Sequence, residues 1–119
     1  MSDDIVLYKT EGNLAVITMN RPEKLNAVND ALRSGVSEAL LRADEDNSVS
    51  VVILRAEGRA FCVGYDIDSD SPERAARRFD ALKWRDSLTE DLRFEMVPWY
   101  MKKPVIASVQ GHALGGGCE

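Results

Sequence analysis

One histidine and two cysteines are the only imidazole and thiol ligands in 119 residues. Cys62 and Cys118 fit no zinc spacing and no CxxC pair, so no metal site is expected. Both thiols are expected to stay reduced, as they do in the cytoplasm. Positive charge is scarce: 15 Lys and Arg stand against 20 Asp and Glu, a net charge of −5. With no basic stripe, the chain is a poor candidate for nucleic acid or anionic membrane, and neither is expected as a partner. No apolar run approaches the roughly 20 residues that span a bilayer. Eight glycines, four prolines and no low-complexity tract exclude collagen-like and mucin-like chains. The opening Met1-Ser2-Asp3-Asp4-Ile5 has neither the basic and apolar regions of a secretion signal nor the Arg-rich character of a transit peptide, so a cytoplasmic location is expected.

What is present is one domain's worth of ordinary globular composition, 45% hydrophobic and 29% charged. Ile5 to Lys9 and Leu14 to Met19 read as strands joined at Gly12-Asn13, a hairpin. Pro22 makes Arg21 to Ala27 a loop. Asn29 reads as an N-cap, and Val28, Leu32, Val36, Leu40 and Ala43 recur at helical spacing. Gly35 weakens that helix by about 1 kcal/mol relative to Ala, which points to a close contact there. The helix should end near Asp44-Glu45-Asp46, whose charges oppose the dipole. Val51 to Arg55 reads as a strand buried on both faces. Ser71 and Pro72 open a second helix running to about Val97, with a break near Lys83 and an end or kink at Pro98. Pro104 to Val109 reads as another buried strand. Gly115-Gly116-Gly117 reads as a helix entrance. Strand, strand, helix, strand, helix, strand predicts an α/β fold with mainly parallel strands.

The chemistry is expected at two turns. The triple glycine follows a strand and opens a helix, which suggests bare N–H groups facing an anion. It is neither a GxGxxG site nor a P-loop. Glycine lets a substrate approach the main chain, and such donors form oxyanion holes. Taken alone, the glycines are explained better by tight packing of helix on strand. Gly64-Tyr65-Asp66-Ile67 is a second turn of this kind, and alone it reads as an ordinary loop. His112 sits in a turn without a nucleophile and is assigned to packing or hydrogen bonding. Cys118 beside Glu119 is a spacer, since successive helical residues point apart. Phe79, Trp84, Phe94, Trp99 and Tyr100 are assigned to the core or to subunit contacts. Arg74, Arg77 and Arg78 suit an exposed helix face.

Three blocks together say more. Ile17 to Ala27, Gly58 to Ile67 and Lys103 to Glu119, the last ending KPVIASVQGHALGGGCE, resemble the enoyl-CoA hydratase/isomerase (crotonase) family in order and spacing. The resemblance implies a crotonase-like (ClpP/crotonase) ββα spiral core, with residues 1–119 its N-terminal part, cut before the C-terminal helices. It implies that the backbone N–H groups of Tyr65 and Gly116 form the oxyanion hole for an acyl-CoA thioester. It implies that Glu119 is the first of two catalytic glutamates, which activates water for addition across a 2,3 double bond. Lys24, Leu25 and Ala27, with Tyr65, Asp66, Ile67 and Asp68, resemble the walls that receive CoA, joined at the thioester by Gly116. Coenzyme A arrives as part of the substrate and no separate cofactor is implied. A homotrimer or hexamer is implied for the complete protein.

Tyr65 and Asp68 depart from the common Ala and Lys of hydratases: the bulky Tyr65 side chain could reshape the acyl pocket or its entrance, and Asp68 weakens the case for a charged contact to CoA phosphate. The second glutamate is implied about twenty residues beyond Glu119. The isolated 119-residue chain is therefore expected to be inactive, with apolar strand faces left open to aggregation. The terminal carboxylate is expected to raise the pKa of Glu119 by like-charge repulsion. Isomerase, dehalogenase and ring-cleaving activities share the oxyanion hole. A non-catalytic fragment, or one half of a split enzyme, is the alternative from another class.

Overall fold

The computed structural model describes residues 4–67, 72–77 and 79–119. The expected Ser71 cap, Asp68 and Arg78 lie outside the described residues, as does the Arg74 side chain. Strands β1 (Val6–Glu11) and β2 (Leu14–Met19) form the predicted antiparallel hairpin. Helix α1 (Asp30–Glu45) leads to β3 (Val51–Ala56), which pairs parallel to β2 with Leu14 opposite Val51. Helices α2 (Pro72–Arg77) and α3 (Ala81–Tyr100) lead to β4 (Val105–Ala107), parallel to β3. The sheet order is β1-β2-β3-β4.

α1 forms where the sequence places it. The Asn29 backbone is extended and its side chain accepts the Leu32 N–H at 2.9 Å, which satisfies one of the free donors of the first turn. The whole predicted stripe is buried, from Val28 through Ala43. It packs on Ala15, Ile17, Met19 and Val52 of the sheet. A fully buried leucine such as Leu32 contributes about 1.5–3 kcal/mol. Gly35 is the expected close contact: a Cβ there would stand 2.8 Å from Val6 Cγ2. The acidic C-terminus of α1 is answered by the chain leading into β4. Lys103 Nζ donates to the Ala43 carbonyl at 2.7 Å and to the Asp46 carbonyl. Asp44 accepts the Lys102 and Lys103 N–H groups at 2.9 and 3.2 Å. A cation at a helix C-terminus is the favourable pairing with the dipole.

Several expectations need correction. The second helix breaks at Phe79-Asp80 rather than near Lys83. Asp80 is extended and its carboxylate caps α3, accepting from Leu82 N at 3.0 Å and Lys83 N at 3.1 Å. Pro98 does not end α3, which continues to Tyr100; its missing N–H removes only the bond to the Phe94 carbonyl. β3 is not buried on both faces: Val52 and Ala56 are buried and the other four residues are half-buried. β4 is shorter than predicted and open, with Ile106 at 55% exposure and Val109 beyond it at 54%. It is the sheet's edge, and among the described residues no further strand pairs with its outer side. The aromatics divide. Phe94 packs against the core, whereas Phe79, Trp99 and Tyr100 are largely exposed because they lie off the buried face of their segment.

Candidate functional site

The site is built where the segment 60–66 runs between two neighbours. Along one edge lies the loop after β2. Its Arg21 to Ala27 stretch contains a 3₁₀ turn at Pro22–Lys24, followed by two left-handed residues, Leu25 (φ 52) and Asn26 (φ 55). Asn26 is fully buried. Its Oδ1 accepts the Arg21 N–H at 2.8 Å, and its Nδ2 donates to the carbonyls of Glu57 and Ala60, both at 2.9 Å. Asparagine tolerates the left-handed region better than most residues, so one side chain sets the loop's shape and ties it to the next turn. Along the other edge runs 110–117: Phe61 N donates to the Gln110 carbonyl, Cys62 N to the His112 carbonyl and Leu114 N to the Cys62 carbonyl.

The hydrogen bonds fix which way the Tyr65 N–H points. Val63 N donates to the Leu25 carbonyl at 3.3 Å. The Gly64 carbonyl accepts from Val28 N and Asp66 N donates to the Val28 carbonyl, both at 2.8 Å. Val28 and Tyr65 thus form a parallel bridge in which Tyr65's own amide faces away from Val28. That side is the edge along which 112–117 runs. Gly64, at φ 107, breaks the alternation of the strand and makes this possible. A Cβ on Gly64 would lie 3.2 Å from the Leu114 carbonyl oxygen and 3.8 Å from Gly116 N. The triple glycine forms a 3₁₀ turn, with Gly117 N bonded to the Leu114 carbonyl and Cys118 N to the Gly115 carbonyl. Neither the Tyr65 N–H nor the Gly116 N–H donates to a backbone carbonyl among the described residues. The turns are pressed together: a Cβ on Gly117 would stand 2.2 Å from the Cys62 carbonyl oxygen, and one on Gly116 2.5 Å from the Tyr65 ring.

A cavity of about 460 Å³ opens beside these turns, and its lining includes Phe61, Cys62, Phe94, Glu95, Gly116 and Glu119. Nothing in the residue pattern singles out Glu95, which is one charged residue among many on the long helix α3. The Tyr65 hydroxyl donates to Glu95 Oε1 at 2.5 Å. Burial, and then the Glu95 carboxylate, hold the Tyr65 phenol well above its ordinary pKa. The Glu119 carboxyl is also raised, first by a hydrogen bond to Glu95 and then by the charge of that group. The predicted direction for Glu119 is right. The cause is Glu95, not the terminal carboxylate. Burial pushes the Cys62 thiol up.

The proposed CoA walls meet in space. Leu25, Ala27, Tyr65 and Asp66 are adjacent through the bonds above. Asp66 is fixed by Arg21 at 2.8 Å, and Arg21 also donates to the Ala27 carbonyl at 2.7 Å. Lys24 is exposed and Ile67 is 77% exposed. A groove of about 210 Å³ here is lined by Tyr65, Asp66, Ile67, Arg33 and Arg77 among others. Arg33 is paired with Asp91 at 2.7 Å and Asp30 at 3.1 Å. Among the described residues no cluster of His, Cys, Asp and Glu could hold a metal ion, and no helix is long and apolar enough to cross a membrane.

The fold has solved counterparts. An enoyl-CoA hydratase/isomerase from Xanthobacter autotrophicus Py2 superposes with a TM-score of 0.87 at 36% identity, covering 96% of this chain and 41% of that one. The architecture is therefore the N-terminal part of a crotonase-like α/β core. Among curated relatives, a probable enoyl-CoA hydratase of Rhizobium meliloti is 36% identical over all of this chain and 43% of its own length. A crotonyl-CoA hydratase of Syntrophomonas wolfei is 36% identical over 98% of this chain and 43% of its own. The chain thus spans well under half the length of the curated relatives it matches. The enoyl-CoA hydratase/isomerase family model matches residues 9–119, and the chain belongs to that family.

Proposed function

We propose that the protein is an enoyl-CoA hydratase, adding water across the 2,3 double bond of an enoyl-CoA thioester. The observation that carries this reading is the pair of amides, Tyr65 N–H and Gly116 N–H, that donate to no backbone carbonyl among the described residues and sit on adjoining turns beside a cavity that Glu119 lines. Donors placed before reaction stabilise charge that develops only in the transition state. When water oxygen bonds to C3, a water proton passes to a carboxylate and the π electrons move onto the thioester oxygen. That oxygen is the one the two amides would receive. The enolate then takes a proton at C2, which completes addition of one water. Glu119 is the group suited to the proton transfer, within the usual range of general acid–base catalysts. Leu25, Ala27, Asp66 and Ile67 would flank CoA, and the complete protein would act as a trimer or hexamer.

The test is hydration of a short 2-enoyl-CoA by the full natural chain and its Glu119→Gln variant. Loss of turnover by about 10²-fold or more with acyl-CoA binding retained is expected. Unchanged turnover would remove Glu119 from the mechanism.

A further inference from the structure

We propose that Glu95 is a positioning residue of this site, a carboxylate brought in by α3 that orients the Glu119 carboxyl through a shared proton and is itself held by the Tyr65 hydroxyl. The inference rests on the acyl-CoA reading above, because it gives Glu119 a partner in that reaction. The geometry is independent of it. Glu95 and Glu119 line one cavity, and the Tyr65 hydroxyl reaches Glu95 at 2.5 Å. A hydrogen bond to a carboxylate is stronger and shorter than a neutral one. Tyr65 is a rigid anchor: its backbone is bridged to Val28 and its ring lies against the Cα of Gly116. The same residue therefore carries a proposed oxyanion donor on its main chain and the Glu95 donor on its side chain.

The charged surroundings leave Glu95 to this pair. Asp91, one turn earlier on α3, is taken by Arg33 at 2.7 Å, and Arg33 also holds Asp30. Tyr65 faces Glu95 from the bridge and Glu119 from the glycine turn, and no cation pairs with Glu95 among the described residues. Facing carboxyls share one proton more readily than they carry two charges. Such a partner fits the reaction. Glu119 takes the water proton as the C3–O bond forms, and a proton is returned to C2 as the enolate collapses, while Glu95 acts by holding the Glu119 carboxyl in place.

The test uses the full natural chain. The carboxyl of Glu119 is followed by carbon-13 NMR across pH in the parent and in Glu95→Gln, with kcat and KM against pH on a 2-enoyl-CoA and Kd for a saturated acyl-CoA. In Glu95→Gln, Glu119 should titrate at lower pH, the acid limb of kcat should move with it, and kcat should fall about tenfold or more, with Kd unchanged. Glu95→Asp should restore part of the loss. A Glu119 titration and pH limb that superimpose on the parent overturn the proposal. Should Glu95→Gln fail to fold, Tyr65→Phe removes only the hydroxyl; the pair should then hold its proton to higher pH, and an unmoved titration overturns the proposal. If the parent neither binds nor turns over acyl-CoA, the hydratase reading falls, and the NMR titration alone still decides whether Glu95 and Glu119 are paired.

Discussion

Replacing Asn26 by alanine removes one small, wholly buried side chain and strands three backbone groups at once. The Ala60 carbonyl loses a buried bond, and the Glu57 carbonyl and Arg21 N–H lose partly buried ones. An unsatisfied buried polar group costs about 1–3 kcal/mol. About 2 kcal/mol for Ala60 and about 1 kcal/mol for each of the others, which can regain water, gives about 4 kcal/mol. Alanine at the φ of 55 adds to this, since it lacks the local hydrogen bonding that suits Asn to the left-handed region. The assay is urea unfolding of the full natural chain, read as a change in midpoint at constant m. The variant should also lose activity, because Asn26 ties the proposed CoA-facing loop to the turn that precedes Phe61 to Tyr65. A loss below about 1 kcal/mol at constant m would refute the claim that this side chain organises the loop.

Other predictions follow from the same contacts. Gly117→Ala would press a Cβ to 2.2 Å from a backbone oxygen of Cys62, which cannot swing aside, so the glycine turn must shift from the 62–65 segment; turnover should fall much more than the fluorescence-monitored affinity for CoA itself, and equal activity would show that the turns need not be in register. The Cys62 thiol and Tyr65 phenol are both raised above ordinary values of 9.0 and 10.0. The unfolded chain therefore loses these protons first, and their stabilising contribution, full below pH 9.0, declines as pH rises beyond it. Tm should bend downward above that pH, with Cys62→Ala bending less; identical alkaline limbs would contradict the assignment.

The scaffold was legible where periodicity and caps are local. The stripe from Val28 to Ala43, the Asn29 cap and the hairpin at Gly12-Asn13 need only short-range sequence to be read. The break lies at Asp80 rather than near Lys83 because a single capping carboxylate, not the drift of the apolar stripe, starts α3. The open edge at β4 was missed because an apolar run specifies a strand without saying what lies against it. At the site, the residues alone favoured tight packing for the triple glycine and an ordinary loop for Gly64 to Ile67, and only the resemblance joined the two turns. Packing proves to be part of the answer, since Gly117 and Gly116 admit Cys62 and Tyr65 at close range. Glu95, Asn26 and the Arg21–Asp66 pair were not legible. Each acts across 30 or more residues, and no spacing rule reaches that far.

The proposed hydratase chemistry requires the Tyr65 and Gly116 amides to receive a thioester oxygen. The most direct test is the isotope-edited infrared carbonyl stretch of a carbon-13-labelled acyl-CoA bound to the full natural chain. Two donors at that oxygen weaken the C=O bond, so the band should move to lower frequency than in water, and Gly117→Ala should return it part of the way. A bound thioester whose carbonyl absorbs at its solution frequency would contradict the account.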